Sequence, residues 1–175
     1  MILRGGLAVT DSIIEKAERL TARYKTRNPY TIAGQLGIFV LNFDTPGTLK
    51  GMYSVIKRSR FIFVNESLDD DLRRFVCAHE LGHDILHRKI VGSTPLSDTT
   101  MNSNSSRMEY EANVFAAALL IDRDRILSLA MSGRTVSQIA AIMRVDENFI
   151  SLIIDSMIAK GYELNPVVRK NNIMR

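Results

Sequence analysis

All three histidines of this 175-residue chain lie in one short stretch, RRFVCAHELGHDILH (73–87). His79 and His83 are four positions apart, with Glu80 directly after the first. On an α-helix, residues four apart share one face, so both imidazoles can bind the same ion. H-E-x-x-H is the pattern in which two helical histidines hold zinc and the glutamate acts as a base. The spacing therefore predicts a metal site with His79 and His83 as ligands and Glu80 as catalytic base.

The residues around the two histidines favour a buried site over a solvent-facing helix that carries histidines by chance. Buried imidazoles need a ligand or a hydrogen-bond partner, because unpaired buried polar groups are costly. Gly82 lowers helix stability by roughly 1 kcal/mol relative to alanine, which predicts a closely packed neighbour there. The apolar residues of the same stretch are Phe75, Val76, Ala78, Leu81, Ile85 and Leu86.

A catalytic zinc site takes three protein ligands and leaves one position for water. In the extended pattern with a third histidine, glycine would stand at position 86 and histidine at 89, but the chain has Leu86 and Lys89. His87 lies one turn beyond His83 and is displaced from the metal face. We expect His87 to cap the helix or to lie behind the ligands, and it is the weaker candidate for a ligand.

A carboxylate from the next helix is the remaining route to a third ligand. Asp98 lies in a polar loop that does not fix its position. Glu109 falls roughly 50° from the centre of the following helix's apolar face, whereas Glu111 falls roughly 110° away. We therefore expect Glu109 as third ligand and keep Glu111 as the alternative; both could also be solvated charges. Asn113, one turn after Glu109, could orient a ligating imidazole or carboxylate.

Hydrophobic periodicity predicts an α+β fold with a small three-stranded antiparallel sheet packed on helices, plus a C-terminal helical extension. We expect a catalytic domain over residues 1–122 and a helical buttress over 123–175, within the same compact unit. The sheet topology that needs the shortest connections is an antiparallel meander. The predicted helices cover 11–24, 28–38, 67–87, 107–121 and parts of 123–162, the strands 38–43, 50–56 and 60–65, and a polar loop 91–106.

Composition narrows the class of protein. Cys77 is the only cysteine, so an internal disulfide and a cysteine-based zinc site are excluded. No apolar run approaches the ~20 residues of a membrane span, and the start of the chain does not resemble an export signal. We therefore expect a cytoplasmic protein without a membrane partner. Residues 61–122 carry five basic and ten acidic groups, a balance that suits a cation site better than a phosphate site.

The stretches FVCAHELGHDILH (75–87) and EYEANVFAAALLI (109–121) resemble the ImmA/IrrE family of metallo-endopeptidases. The segment KGMYSVIKRSRFIFVNESL (50–68) is similar to the strands that precede the motif helix in that family. Members typically continue with Met-Pro after the paired leucines, where this chain has Ile121 and Asp122, so the exit of the helix can differ.

The resemblance implies a zincin-like fold with His79, His83 and Glu109 as zinc ligands and Glu80 as base. Manganese or another divalent ion is the alternative to zinc. The resemblance also implies cleavage of a cytoplasmic regulator in bacteria or phage, such as a helix-turn-helix repressor of a mobile element or stress response. Tyr53, Tyr110 and His87 are candidates for stabilising the oxyanion. The edge of the strand at 60–65 could hold an extended substrate.

Residues 135–162 have the pattern of a helix-turn-helix, namely a capped helix, a short turn and a second helix. This pattern supports a second hypothesis. In it, the protein is a non-catalytic regulator that binds a repressor or DNA and has a structural metal site. The second helix, however, presents Glu147 and Asp155, and acidic side chains facing phosphates are unfavourable. Direct DNA binding is therefore not expected, and the pair of helices is interpreted as a buttress or a docking surface.

Overall fold

The computed structural model describes residues 3–44, 48–91 and 103–164. Together they form an α+β fold with C-terminal helices, as predicted. The helices of these described ranges are α1 Leu3–Tyr24, α2 Pro29–Gln35, α3 Asp70–Val91, α4 Ser103–Leu120, α5 Arg123–Met131, α6 Val136–Met143 and α7 Glu147–Ala159, and the strands are β1 Ile38–Phe43, β2 Gly51–Ile56 and β3 Ser59–Asn65.

The chain divides into two compact units, and helix α1 contributes to both. One unit comprises residues 15–120, and the other comprises 1–14 together with 121–175. The second unit has a core of isoleucines from α5, α6 and α7, and α6 begins with a capping box in which Thr135 and Gln138 satisfy each other's backbone. The stretch 135–162 contains the two helices α6 and α7, separated by a short connection. The predicted division after residue 122 stays a prediction.

The predicted antiparallel meander is wrong in one pairing. The sheet is mixed, with the order β1-β3-β2: β2 pairs antiparallel with β3, and β1 pairs parallel with it. β3 is the central strand, and Ile62 and Val64 on its packed side are fully buried. The interpretation of 60–65 as an open edge for a substrate is therefore wrong too, since both edges of β3 are paired.

Three predicted boundaries differ from the structure. α1 begins at Leu3 rather than near Asp11, so Thr10 is a buried residue inside the helix. Of the loop predicted at 91–106, Val91 belongs to α3 and residues 103–106 belong to α4, and 92–102 lie outside the described residues. Asp98, the third carboxylate considered, lies outside the described residues.

Helices α3 and α4 approach each other closely at Gly82, as its position in an apolar helix predicts. A Cβ atom at Gly82 would lie 3.1 Å from Phe115 Cδ1 and 3.2 Å from the backbone of Ala112. Any side chain larger than that of glycine at position 82 would therefore force Phe115 or the backbone of Ala112 to shift. At the end of α4, Arg27 Nη1 donates to the carbonyls of Ala118 (3.2 Å) and Leu119 (3.1 Å), which caps the helix.

None of the helices within residues 3–44, 48–91 and 103–164 combines the length and apolar character that crossing a membrane requires.

Candidate metal centre

The start of α3 fixes the phase of the helix that carries the H-E-x-x-H motif. Asp69 Oδ1 accepts from Leu72 N at 2.8 Å and so caps the helix, whereas Ser67, at which the predicted helix begins, donates its hydroxyl to Asn65 Oδ1. Asp70 and Asp71 occupy the first turn, where the helix dipole favours acidic groups. The apolar face that follows is fully buried at Cys77, Ala78 and Leu81, and this burial turns the motif inward.

His79, His83 and Glu109 converge, although Glu109 comes from a different helix. Glu109 Oε2 lies 3.2 Å from His79 Nε2, and its Oε1 lies 3.3 Å from His83 Nε2. The two Nε2 atoms are 3.1 Å apart. Among the described residues, these are the side chains that form a His/Cys/Asp/Glu group able to hold a metal ion, with all donor atoms within 4.8 Å of one another.

The spacing of these donor atoms fits a tetrahedral ion. Ligands about 2.0–2.1 Å from a tetrahedral zinc lie about 3.4 Å from one another. The separations of 3.1, 3.2 and 3.3 Å between the imidazole nitrogens and the Glu109 oxygens are close to that value. Two imidazoles and one carboxylate are also a donor set that zinc accepts, and they leave the fourth position open.

Asn113 determines which nitrogen of His79 faces the cluster. The amide Oδ1 of Asn113 lies 2.8 Å from His79 Nδ1, and an amide oxygen can only accept. Nδ1 therefore carries the proton, and in the neutral ring Nε2 presents its lone pair to the convergence point. Asn113 thus contacts the ring nitrogen of His79 that points away from the cluster, which is the contact by which a neighbouring residue orients a ligating imidazole.

Charge is distributed across the cluster as expected for a cation site. Hydrogen bonds from His79 and then His83 hold the pKa of Glu109 well below its ordinary value. Burial lowers the pKa of His79, but the Glu109 hydrogen bond and the charges of Glu80 and Glu109 outweigh burial and raise it overall. The Glu109 carboxylate thus favours positive charge at His79, beside the point where the three side chains converge.

Glu80 lies beside this cluster, at the wall of a cleft of about 350 Å³. The cleft is lined by Glu80, His79 and Glu109, by the segment 48–51, and by apolar residues of α3. Burial raises the pKa of Glu80. Gly51 leaves room for this carboxylate, because a Cβ atom there would lie 3.2 Å from Glu80 Oε1 and 2.3 Å from Val76 Cγ1.

Comparison with known proteins agrees with this geometry. The profile of the IrrE N-terminal-like domain of the M78 peptidases matches residues 33–152, more than half of the chain. The chain belongs to the ImmA/IrrE family. The "Uncharacterized immunity region protein 2" of Bacillus phage phi105 is 38% identical over 104 residues, which are 59% of this chain and 65% of that protein. "Metallopeptidase ImmA" of Bacillus subtilis (strain 168) is 29% identical over 138 residues, 76% of this chain and 78% of its own length.

Membership of the ImmA/IrrE family supports a metallopeptidase with a divalent ion. The chain spans just under two thirds of the phage relative's length.

Other predicted site residues of this ImmA/IrrE chain lie apart from the convergence point. Glu111 Oε1 accepts from Arg107 Nε at 2.7 Å, and its Oε2 lies 3.7 Å from His87 Nε2. His87 is buried next to the Met108 carbonyl, at 3.3 Å, which suits a residue behind the ligands. Burial and then the neighbouring His83 lower the pKa of His87. Tyr110 is half exposed on α4.

The structure engages Tyr53 elsewhere, which argues against its predicted role at the oxyanion. Its buried hydroxyl donates to Asp84 Oδ1 at 2.7 Å. Asp84 also accepts from Arg60 Nη1 (2.9 Å) and from Arg88 Nε (3.0 Å) and Nη2 (2.6 Å). This Asp84 network ties α3 to both β2 and β3. Sequence reasoning missed it, although an acid directly after His83 with an arginine four residues later was a signal.

Replacing Asp84 with asparagine should destabilise the fold. The side chain of Asp84 is fully buried, and the change leaves two guanidinium groups facing an uncharged amide. Removing one partner of a buried ion pair costs about 3 kcal/mol or more. We expect that decrease in the free energy of unfolding, measured by urea denaturation. Asp70→Asn is the matched control: Asp70 is exposed and pairs with Arg73, and its replacement should change stability by about 0.5 kcal/mol or less. Equal effects of both changes would contradict a structural role for Asp84.

Proposed function

We propose that this ImmA/IrrE protein is a zinc-dependent endopeptidase that cleaves a cytoplasmic regulatory protein at a defined site. The observation that carries the proposal is the convergence of His79, His83 and Glu109. His79 and Glu109 also line a cleft together with Glu80. Three protein donors with one open position are characteristic of catalytic rather than structural zinc sites.

His79, His83 and Glu109 would hold the ion, and Asn113 would orient the first imidazole through its Nδ1 proton. A bound divalent ion supplies two things: it polarises the scissile carbonyl and lowers the pKa of water towards 7. Nitrogen donors from two imidazoles favour zinc over manganese, which prefers an oxygen-rich set.

Glu80 performs the proton transfers in the proposed reaction. Its carboxylate accepts a proton from the attacking water as the oxygen bonds to the scissile carbonyl carbon. When the carbon–nitrogen bond breaks, Glu80 returns that proton to the leaving amine. The reaction consumes one water and yields a carboxylate and an amine. Gly51 leaves room for this carboxylate, because a Cβ atom there would lie 3.2 Å from Glu80 Oε1.

The substrate backbone would lie along β2. β2 is an edge strand, and the residues just before it, together with Gly51, line the cleft beside Glu80. An extended peptide can add to such an edge through main-chain hydrogen bonds, which makes binding largely independent of sequence. Selectivity must then come from the cleft or from contacts outside it.

A regulator of a mobile element is the proposed substrate class. The phage relative is named as an immunity region protein and is 38% identical over 104 residues. A helix-turn-helix repressor encoded next to the gene of this chain is the first candidate. The acidic groups Glu147 and Asp155 on α7 support a role for α6 and α7 in something other than DNA binding.

Removal and return of the metal tests this proposal directly. The purified protein, loaded with zinc, is incubated with the neighbouring repressor and, separately, with a proteome-derived peptide library, and new termini are identified by mass spectrometry. We expect cleavage that stops when a zinc chelator is added and resumes when zinc is restored. Cleavage that continues in the chelator would contradict a metal mechanism. Absence of new termini in both substrate sets would contradict the peptidase assignment.

A further inference from the structure

The outer face of the sheet carries an apolar row that the proposed reaction does not use. Register pairs Phe39 with Phe61, and Phe63 with both Leu41 and Met52, so these side chains share one face. The opposite face carries Ile62 and Val64. Phe39 is 57% exposed and Leu41 44% exposed. We call the set Phe39, Leu41, Met52, Phe61 and Phe63 the aromatic face.

The hairpin between β2 and β3 places two cations at one end of the aromatic face. Lys57 and Arg58 are exposed, and their φ angles are +48° and +69°. A two-residue turn with both φ angles positive favours Asn-Gly, and other residues pay roughly 1 kcal/mol each there. Two long basic side chains thus occupy positions that their conformation disfavours, and such an outlier points to a function for the charges.

The charge of the sheet is of one sign. The three strands and the hairpin contain the cations Lys57, Arg58 and Arg60 and no acidic residue. Arg60 is already paired with Asp84. The two charges at the hairpin tip therefore complement an acidic group on whatever covers the aromatic face.

The size of the aromatic face indicates what can cover it. Three strands about 4.8 Å apart, with six residues rising about 3.3 Å each, give a face of roughly 300 Å². A stable dimer needs about 800 Å² from each partner, so this face alone is too small to join two copies of the chain. One helix, about 10 Å wide, fits it well.

The ring geometry disfavours nucleic acid as the occupant. Phe39 stacks on Phe61 with centroids 5.4 Å apart, and Phe61 stacks on Phe63 at 6.0 Å, with interplanar angles of 26° and 22°. Because the rings stack on one another, they present mainly their edges outward. A platform for bases needs open ring faces instead.

We propose that the aromatic face and the hairpin tip form a docking surface for an amphipathic helix of the substrate protein, with acidic residues at the end that meets Lys57 and Arg58. This inference rests on the proposed function, because it gives the peptidase a site of selectivity outside its cleft. The docked helix would keep a flexible segment of the same protein near β2 and raise its effective concentration there.

A binding assay that needs no cleavage tests the docking surface. The probe is a fluorescein-labelled amphipathic helical peptide with leucines along one face and glutamates at one end, followed by anisotropy on the full-length Glu80→Gln protein. We expect the peptide with lysines in place of glutamates to bind at least about 10-fold more weakly. Phe39→Ser, and Lys57→Asn combined with Arg58→Asn, should each weaken binding of the acidic peptide about 10-fold. Asparagine suits positive φ, so the second variant removes charge without adding strain.

The controls are changes of the same kind at exposed positions outside the sheet. Met131→Ser removes an apolar side chain that is 64% exposed, and Arg134→Gln removes an exposed charge. Both should leave binding unchanged. Equal affinity for the two peptides, or no effect of Phe39→Ser, would overturn the proposal. So would competition by oligothymidylate, or sedimentation that shows a dimer converted to monomer by Phe39→Ser.

The outcome for docking is separable from the outcome for the proposed function. If the wild type cleaves the repressor but the face variants bind the peptide normally, the docking surface fails and the peptidase stands. If no protein is cleaved while peptide binding follows the expected pattern, the peptidase fails and the docking surface stands. With a cleaved protein in hand, Phe39→Ser should raise KM about 10-fold and leave kcat unchanged.

Discussion

Glu80→Gln should keep its zinc and lose its peptidase activity. Glutamine preserves the shape of the side chain but cannot accept the proton from water, and general acid–base catalysis contributes up to about 10⁴-fold to rate. We expect kcat to fall about 10³-fold or more. Zinc content, measured by mass spectrometry of the intact metal-loaded protein, should remain at one ion per chain, because Glu80 is not part of the His79, His83 and Glu109 group.

Glu147→Gln is the control, because Glu147 is an exposed residue in the first turn of α7. This change should leave both zinc content and kcat unaltered. The pair of measurements separates the two hypotheses for this protein. A regulatory effect in cells that survives Glu80→Gln would show that the protein acts by binding and that its metal is structural. Loss of zinc in this variant would contradict the ligand set.

Glu109→Ala should release the ion. Its carboxylate oxygens lie 3.2 and 3.3 Å from the two imidazole nitrogens and complete the three-donor group. Replacing residues that only support ligands costs 10–100-fold in metal affinity, so loss of a ligand should cost more than about 100-fold. Competition with a fluorescent zinc chelator measures the affinity. Peptidase activity should disappear in parallel.

Glu111→Ala is a closely matched control, since it removes the same group two residues away on the same helix. Glu111 pairs with Arg107 and lies 3.7 Å from His87, away from the convergence point. We expect zinc affinity within a few-fold of the wild type. The reverse pattern, with zinc lost in Glu111→Ala and kept in Glu109→Ala, would transfer the ligand role to Glu111.

Local periodicity accounts for the parts of this structure that the sequence predicts well. The spacing of His79 and His83 translates into one helical face without knowledge of any other element. The same reasoning, applied to the next helix, places Glu109 rather than Glu111 towards α3, and the structure brings it to the imidazoles. The close packing at Gly82 followed from the cost of glycine in a helix. The role of each residue as ligand or base stays a prediction.

The missed features depend on contacts between distant parts of the chain. The parallel pairing of β1 with β3 depends on which strand is buried on the helix side, and alternation within each strand does not reveal this order. The partner of Asp84 on β3, Arg60, is 24 residues away, and its role follows from the position of α3 on the sheet. Gly51 lies inside the predicted strand 50–56, and the close approach of Val76 and Glu80 that it permits involves residues of α3.

The crossing at Gly82 links the evolution of the core to the choice of ion. A methyl group at that position would push the backbone of Ala112 outward by a few tenths of an ångström. Metal sites tolerate about 0.2 Å of variation in bond length, so such a displacement widens the cage by as much as zinc accepts. Gly82 adjoins the candidate ligand His83, and Ala112 lies three residues from Glu109. A larger residue in this crossing would therefore change the spacing of the three donors without replacing any of them.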